Sequence, residues 1–372
     1  MSYLVLLKGV ISMNKTKRNY GLDLLKILSM VMVVLLHATS YGIINTSCIP
    51  LSAKWLDIVV IRSLSGVAVN CFVLINGYFM CQKKLNMKHL FKLWCQVFFY
   101  STVIYILLIV IPSTGITFSK FQLIKSILPV MSNSYWFFNA YLALMLLSPL
   151  LNRLIQHMNK EEHRNAIIIL FILFSIIPTI DFICDPFGSA YGYSVVWFIV
   201  LYIIAAYIRI YGLKMKHPFT IYTIVTIAEL LIFTLLQFPK SDHIKFFFTL
   251  QTYYNSVFVL LGAISLFMFF MNLKINGKNI TSIIKWIVPK SFAVYLIHEQ
   301  PVFRDVLWQK IIMIERYSEN AISLLLTFLI STVIIFIVCI LIDTVRSTLT
   351  NKIENKLADH FEMIINKIAI KY

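Results

Sequence analysis

Residues 321–345 read AISLLLTFLISTVIIFIVCILIDTV, an apolar run with no charge before Asp343. A helix of roughly 20 such residues crosses the hydrocarbon of a bilayer. Nine further apolar runs precede it, at about 22–44, 57–80, 90–112, 135–152, 166–183, 195–211, 219–238, 250–272 and 287–303. Three of them stop near Pro112, Pro218 and Pro239. The ninth is the least regular, because it holds Pro289 and Pro301 together with His298 and Glu299. The predicted fold class is all-α, a polytopic integral membrane helical bundle of about ten transmembrane helices.

Composition agrees with that reading. Hydrophobic residues make up 59% of the 372, and charged residues only 13%. A soluble domain carries nearer a quarter charged residues, and its core could not hide this much apolar surface. The net charge of +17 suggests nucleic acid only until its distribution is read. Lys and Arg sit in short clusters between the apolar runs, as in cytoplasmic loops of membrane proteins. With the amino terminus inside, the inner segments hold 23 of the 33 basic residues and the outer ones nine, with Lys26 inside the first span. The expectation is a multi-pass protein of the cell membrane with both termini cytoplasmic and the lipid bilayer as its first partner.

The predicted division is a cytoplasmic lead over residues 1–18, one membrane domain over 19–345 and a cytoplasmic amphipathic tail over 346–372. Met13-Asn14-Lys15 reads as a more ordinary start than the first twelve residues. In the tail, Ile353, Leu357, Phe361, Ile364 and Ile368 recur at helical spacing, which predicts a helix lying on the inner leaflet. The six cysteines have no metal-type spacing. Cys48 and Cys184 fall in loops predicted to face outward, which leaves a disulfide between them open.

Ionisable groups inside spans are candidates for function, because burial in lipid disfavours them. Asp23, Lys26 and His37 lie on one face of the first span. Lys26 and His37 are eleven residues apart, three turns and roughly 16 Å along the axis. Asp23 and Lys26 can equally anchor the helix at the inner interface, whereas His37 lies too deep for that. Asn76-Gly77-Tyr78-Phe79 closes the second span and is expected to interrupt its helix. Lys83, Lys84, Lys88 and Lys92 follow, a cluster suited to an anionic ligand or simply to inward charge. Trp136, in the run Tyr135 to Tyr141 with Asn139, reads on its own as part of an interfacial aromatic belt. His298 and Glu299 can be a base with its orienting carboxylate, although neighbours on an intact helix diverge by about 100°.

Taken in order, these pieces resemble the membrane acyltransferase-3 family. The first span carries Leu22-Asp23 and Lys26, then an aliphatic run closing on His37. Asn76-Gly77-Tyr78-Phe79, Trp136-Phe137, Trp197-Phe198 and Tyr295 to His298 are similar to the family's later motifs. Lys26 stands where the family usually has arginine, and Asn76 where it usually has serine. Lysine keeps the charge but not the bidentate fork. The resemblance implies O-acyl transfer from acyl-CoA, most often acetyl-CoA, to a hydroxyl of a surface polysaccharide or lipid-linked sugar. On that reading His37, Lys26 and Asp23 are catalytic. Asn76, Tyr78, Trp136, Asn139, His298 and Glu299 contact substrate, and Lys83, Lys84, Lys88 and Lys92 hold the cofactor. A carbohydrate acceptor is then the partner, and neither a metal nor nucleic acid is expected. The competing class is a carrier, such as a polysaccharide flippase, a polymerase or another multi-span transporter. No paired broken helices in inverted repeats, the mark of many transporters, are evident in the sequence.

Overall fold

The computed structural model describes residues 18–43, 49–180, 185–235 and 253–369. The lead up to residue 17, and with it the alternative start, lies outside them, as do Cys48 and Cys184. Among the described residues every regular element is helical. The chain runs α1 (Tyr20–Tyr41), α2 (Ala53–Ser65), α3 (Ala68–Met80), α4 (Met87–Val110), α5 (Lys120–Ile127), α6 (Trp136–His157) and α7 (Lys160–Phe171, continued to Ile180). It goes on with α8 (Val195–Tyr211), α9 (Pro218–Leu235), α10 (Val257–Asn272), α11 (Lys278–Ile287), α12 (Ser291–His298), α13 (Pro301–Val306) and α14 (Ala321–Ala369).

Eight of these helices or joined helices are long and apolar enough to cross a membrane. α8 and α10 are apolar but shorter. At 17 residues α8 is at the lower edge of a spanning length. The result is an all-α multi-pass membrane bundle, with helices where the apolar runs lie. Direction alternates along the chain, so one end of the bundle gathers the start of α1, the α3–α4 turn and the last turns of α8 and α14. It carries most of the lysines and is called here the lysine-rich end.

α3 is the centre. It packs against α1, α8 and α10, and nine of its 13 residues are buried. The expected interruption at Asn76-Gly77 is absent, since α3 runs unbroken to Met80. Gly77 serves close packing instead. A Cβ there would sit 3.0 Å from Ala205 Cβ and 3.1 Å from Tyr202 Cα. The lost side chain lets α8 approach, which offsets the roughly 0.5–1 kcal/mol that glycine costs inside a helix.

The ninth span is broken as its prolines suggest. α11 gives way to a 3-10 turn at Val288–Lys290, α12 stops at His298, and Pro301 opens α13. The tail differs from expectation. It is not a separate helix but continues the tenth span as one, Ala321–Ala369. This stretch holds neither glycine nor proline to stop it. Arg346 fastens the junction, with Nε 2.7 Å from Asp343 and Nη1 2.5 Å from Glu354. Tyr100 and Gln96 of α4 donate to the same Asp343 carboxylate.

Candidate active site

His37 stands one turn before the end of α1, about 25 Å along the axis from Tyr20, and so far from the lysine-rich end. α12 packs beside α1 and delivers His298 at its last residue. His37 Nδ1 lies 2.8 Å from His298 Nε2 and 3.1 Å from Glu299 Oε1. Adjacent residues converge here because the helix ends between them. Glu299 takes φ −100°, ψ 8°, and its carboxylate swings to the side of the His298 ring.

The next break completes the cluster. Gln300 caps α13 by accepting from Val302 N and Phe303 N. α13 then carries Arg304 back, with Nη1 3.6 Å from Glu299 Oε2. The guanidinium sits 4.3 Å over the Tyr41 ring and donates to the Tyr41 hydroxyl at 3.3 Å. The carboxylate therefore has a cation on one side and an imidazole on the other, which a buried charge requires.

The hydrogen bonds also assign the protons. His298 Nδ1 is 2.5 Å from the Val294 carbonyl oxygen, which can only accept, so that nitrogen carries the hydrogen. Nε2 of the neutral ring is then an acceptor, and His37 Nδ1 must donate to it. The lone pair of His37 is left on Nε2. This ring lines a small cavity with Met30, Val33, Val69, Phe72, Trp136, Phe137, Tyr254 and Tyr295. Its volume, about 20 Å³, has room for one water. An imidazole held by a second polar group, with its other nitrogen free at a cavity, is the arrangement of a general base.

The same three side chains could ligate a metal, since their ligand atoms lie within 4.8 Å of one another. The 2.8 Å contact between ring nitrogens fits a hydrogen bond better. Two nitrogens on a tetrahedral zinc stand roughly 3.3 Å apart at ordinary bond lengths.

A larger cavity of about 320 Å³ opens toward the lysine-rich end, lined by Asn76, Phe79, Lys83, Lys84, Asn86, His89, Tyr141 and Ser148 among others. Asn86 caps α4 there by accepting from His89 N at 2.8 Å. The two cavities share walls. Val69 and Phe72 of α3 face the small one and Asn76 and Phe79 the large one, at helical spacing on one side. On α6, Trp136 and Phe137 line the first, and Tyr141, Met145 and Ser148 the second. Phe137 and Tyr141, stacked at 6.0 Å, stand between them.

Other candidates from the sequence fall elsewhere. Asp23 pairs with Arg18. Lys26 has Asp23 and Arg18 as its charged neighbours, with the His89 imidazole also near, and its eleven-residue separation keeps it from His37. Lys88 bonds Asp359 and Lys92 bonds Asn355, both on the α14 extension. Tyr78 accepts from Arg209 at 3.0 Å, and Asn139 donates to Val130 O and Asn133 Oδ1. Trp136 stacks on Tyr254 at 5.7 Å beside the small cavity. The sequence reading missed Tyr41 and Arg304. Arg304 counted there as an outer-loop charge, and only its five-residue spacing from Glu299 across a proline hinted at the return.

Residues 19–344 match the sequence model of a family described as an acyltransferase domain. The chain belongs to the acyltransferase-3 family. No curated protein and no solved structure matches it. For this membrane acyltransferase the carrier reading falls away. The His37–His298–Glu299 cluster, with His37 half-buried and the other two buried, becomes the natural place to seek the chemistry.

Proposed function

We propose that this acyltransferase moves an acyl group, acetyl first among candidates, from acyl-CoA to a hydroxyl of a surface polysaccharide or lipid-linked sugar. The observation that carries the reading is His37, held by His298 and flanked by Glu299, with its free nitrogen on a ring that lines an aromatic cavity. His37 Nε2 takes the proton as the sugar oxygen attacks the thioester carbonyl. The C–O bond forms, the C–S bond breaks, and the thiolate leaves as CoA after taking up a proton. Glu299 stabilises the imidazolium that forms meanwhile, and Arg304 holds Glu299 in position.

The donor enters from the lysine-rich end, which the charge bias makes cytoplasmic. Lys83 and Lys84, with the amino-terminal turn of α4 beside them, offer positive potential to CoA phosphates. Because Lys88 and Lys92 bond the α14 extension, Lys83 and Lys84 carry the donor role. Asn76 and Tyr141 then lie along the path toward His37, and Trp136 lies at its far end. The acceptor approaches from the opposite face.

The test uses purified protein in lipid nanodiscs with radiolabelled acetyl-CoA and a panel of oligosaccharides. Label should move to a sugar with wild type and not with His37→Ala. Transfer undiminished in His37→Ala, or no transfer to any sugar in the wild type, would overturn the reading.

A further inference from the structure

The face of the bundle beyond His37 has a rim of aromatic rings. Tyr193 is 40% exposed and packs against Trp136 at 4.6 Å and Tyr254 at 4.7 Å. Tyr191 stacks on Tyr253 at 4.1 Å, nearly parallel. The loop that presents them is strained. Ala190, Tyr191 and Gly192 all have positive φ, at 49°, 53° and 90°, and two of the three are not glycine. A Cβ at Gly192 would meet Tyr254 Cβ at 2.6 Å. Polar bonds hold the strain in place. Asp185 accepts from Ser189 and from Ala190 N, while Asn255 donates to Ser189. Non-glycine residues persist in this region only where the surroundings fix them, and such places cluster at ligand sites.

Beside this rim is a cation with no counter-charge among the described residues. Arg62 of α2 donates through Nε to Thr39 Oγ1 at 3.1 Å and through Nη2 to Thr39 O at 3.2 Å. A weaker bond of 3.4 Å reaches Ser40 Oγ. Nη1 donates to nothing among the described residues, and no carboxylate there is in ion-pair range. Asp57 of the same helix is five residues away, about 140° round the axis. Thr39 is two residues beyond His37, and Arg62 is close enough to Tyr193 to interact electrostatically. Arg304 is different, because Glu299 neutralises it. Arg62 is half-buried, and an arginine drawn partly out of water favours an anion beside it. Three bonds to neutral oxygens orient Arg62, and none of them supplies a negative charge.

We infer that the acceptor is an anionic glycan. Its sugar ring lies on the Tyr193–Trp136–Tyr254 aromatics, and its carboxylate or phosphate pairs with Arg62. Rings with an apolar body and a polar edge suit a sugar face, and the planar guanidinium suits either anion. This deepens the proposed acyl transfer and rests on it for the word acceptor, but the binding site can be tested without transfer.

The experiment measures equilibrium binding by calorimetry on the full chain in nanodiscs, with no acyl donor present. The probes are a glucuronate-terminated disaccharide, the same disaccharide with its carboxyl reduced to the alcohol, and a sugar 1-phosphate. Wild type should bind at least one anionic probe roughly 10- to 100-fold tighter than the neutral one, as expected for a charged hydrogen bond. The anion that gains the preference separates carboxylate from phosphate. Arg62→Gln should bring anionic and neutral probes within about twofold, while Arg62→Lys keeps part of the preference. Arg316→Gln, at an exposed arginine on the same face, should keep all of it. Should Arg62→Gln fail to insert, Arg62→Lys decides, since a purely structural arginine predicts an unchanged ratio. Equal affinities in the wild type, including no binding of any probe, would overturn the inference, as would a full preference in the Arg62 variants. Charge-selective binding with no acyl transfer to any sugar would instead overturn the proposed function and leave the Arg62 site standing.

Discussion

At the scale of residues, the account depends on which nitrogen of His37 is free. His298 fixes it, because its own Nδ1 hydrogen is committed to the Val294 carbonyl. His37→Ala should lower kcat by about 10²- to 10⁴-fold, the range for a lost general base. His298→Ala removes only the partner of His37, so its effect should be smaller and fall on kcat more than on KM. Steady-state kinetics on the two variants checks the order, and an unimpaired His37→Ala would remove the base. A metal makes a separate prediction. Transfer should survive extended dialysis against EDTA, whereas loss restored by zinc would turn His37, His298 and Glu299 into ligands. Much of this centre was legible in the sequence. His37 was evident from its depth in a span, and His298-Glu299 from its place in a broken one. Their meeting was not, since it depends on a helix ending between two adjacent residues. Lys26 shared a helix face with His37, and the roughly 16 Å between them along the axis, already legible from the spacing, keeps it out of this centre.

At the scale of elements, the four lysines after α3 divide in two. Lys83 and Lys84 line the large cavity, whereas Lys88 and Lys92 bond the α14 extension. Replacing Lys83 and Lys84 by Gln should raise the KM for acetyl-CoA several-fold and weaken its dependence on salt. The same change at Lys88 and Lys92 should leave that KM alone. A reversal of the two results would move the donor to the α4–α14 seam. Sequence clustering could not separate the pairs, because the tail helix that claims two of them lies more than 250 residues away. The tail itself was legible as a helix but not as an extension of the last span. That continuity rests on the absence of a breaker and on Asp343, Arg346 and Glu354. Asp343→Ala leaves a buried guanidinium short of a partner. It should destabilise by roughly 3 kcal/mol, visible as a lower Tm in detergent, and an unchanged Tm would show that Glu354 alone suffices.

At the scale of the whole molecule, the helical bundle followed from apolar runs and charge, which act over lengths that sequence displays directly. Packing around α3 did not, because Gly77 is read as a break until its neighbour α8 is seen against it. The two cavities on the shared faces of α3 and α6 underlie the proposal that the donor is taken at one end and the acceptor served at the other. Single cysteines near Lys120 and Lys310 should label from outside intact cells, and those near Lys84 and Lys278 should not. The reverse pattern would invert the path. The central claim is that His37 drives acyl transfer to a surface glycan. It is tested most directly by mass analysis of surface glycans from cells lacking the gene and complemented with wild type or with His37→Ala at equal membrane levels. The account predicts that the acyl mass increment disappears with the gene, returns with wild type and does not return with His37→Ala. Glycan masses identical in all three strains, or full restoration by His37→Ala, would contradict it.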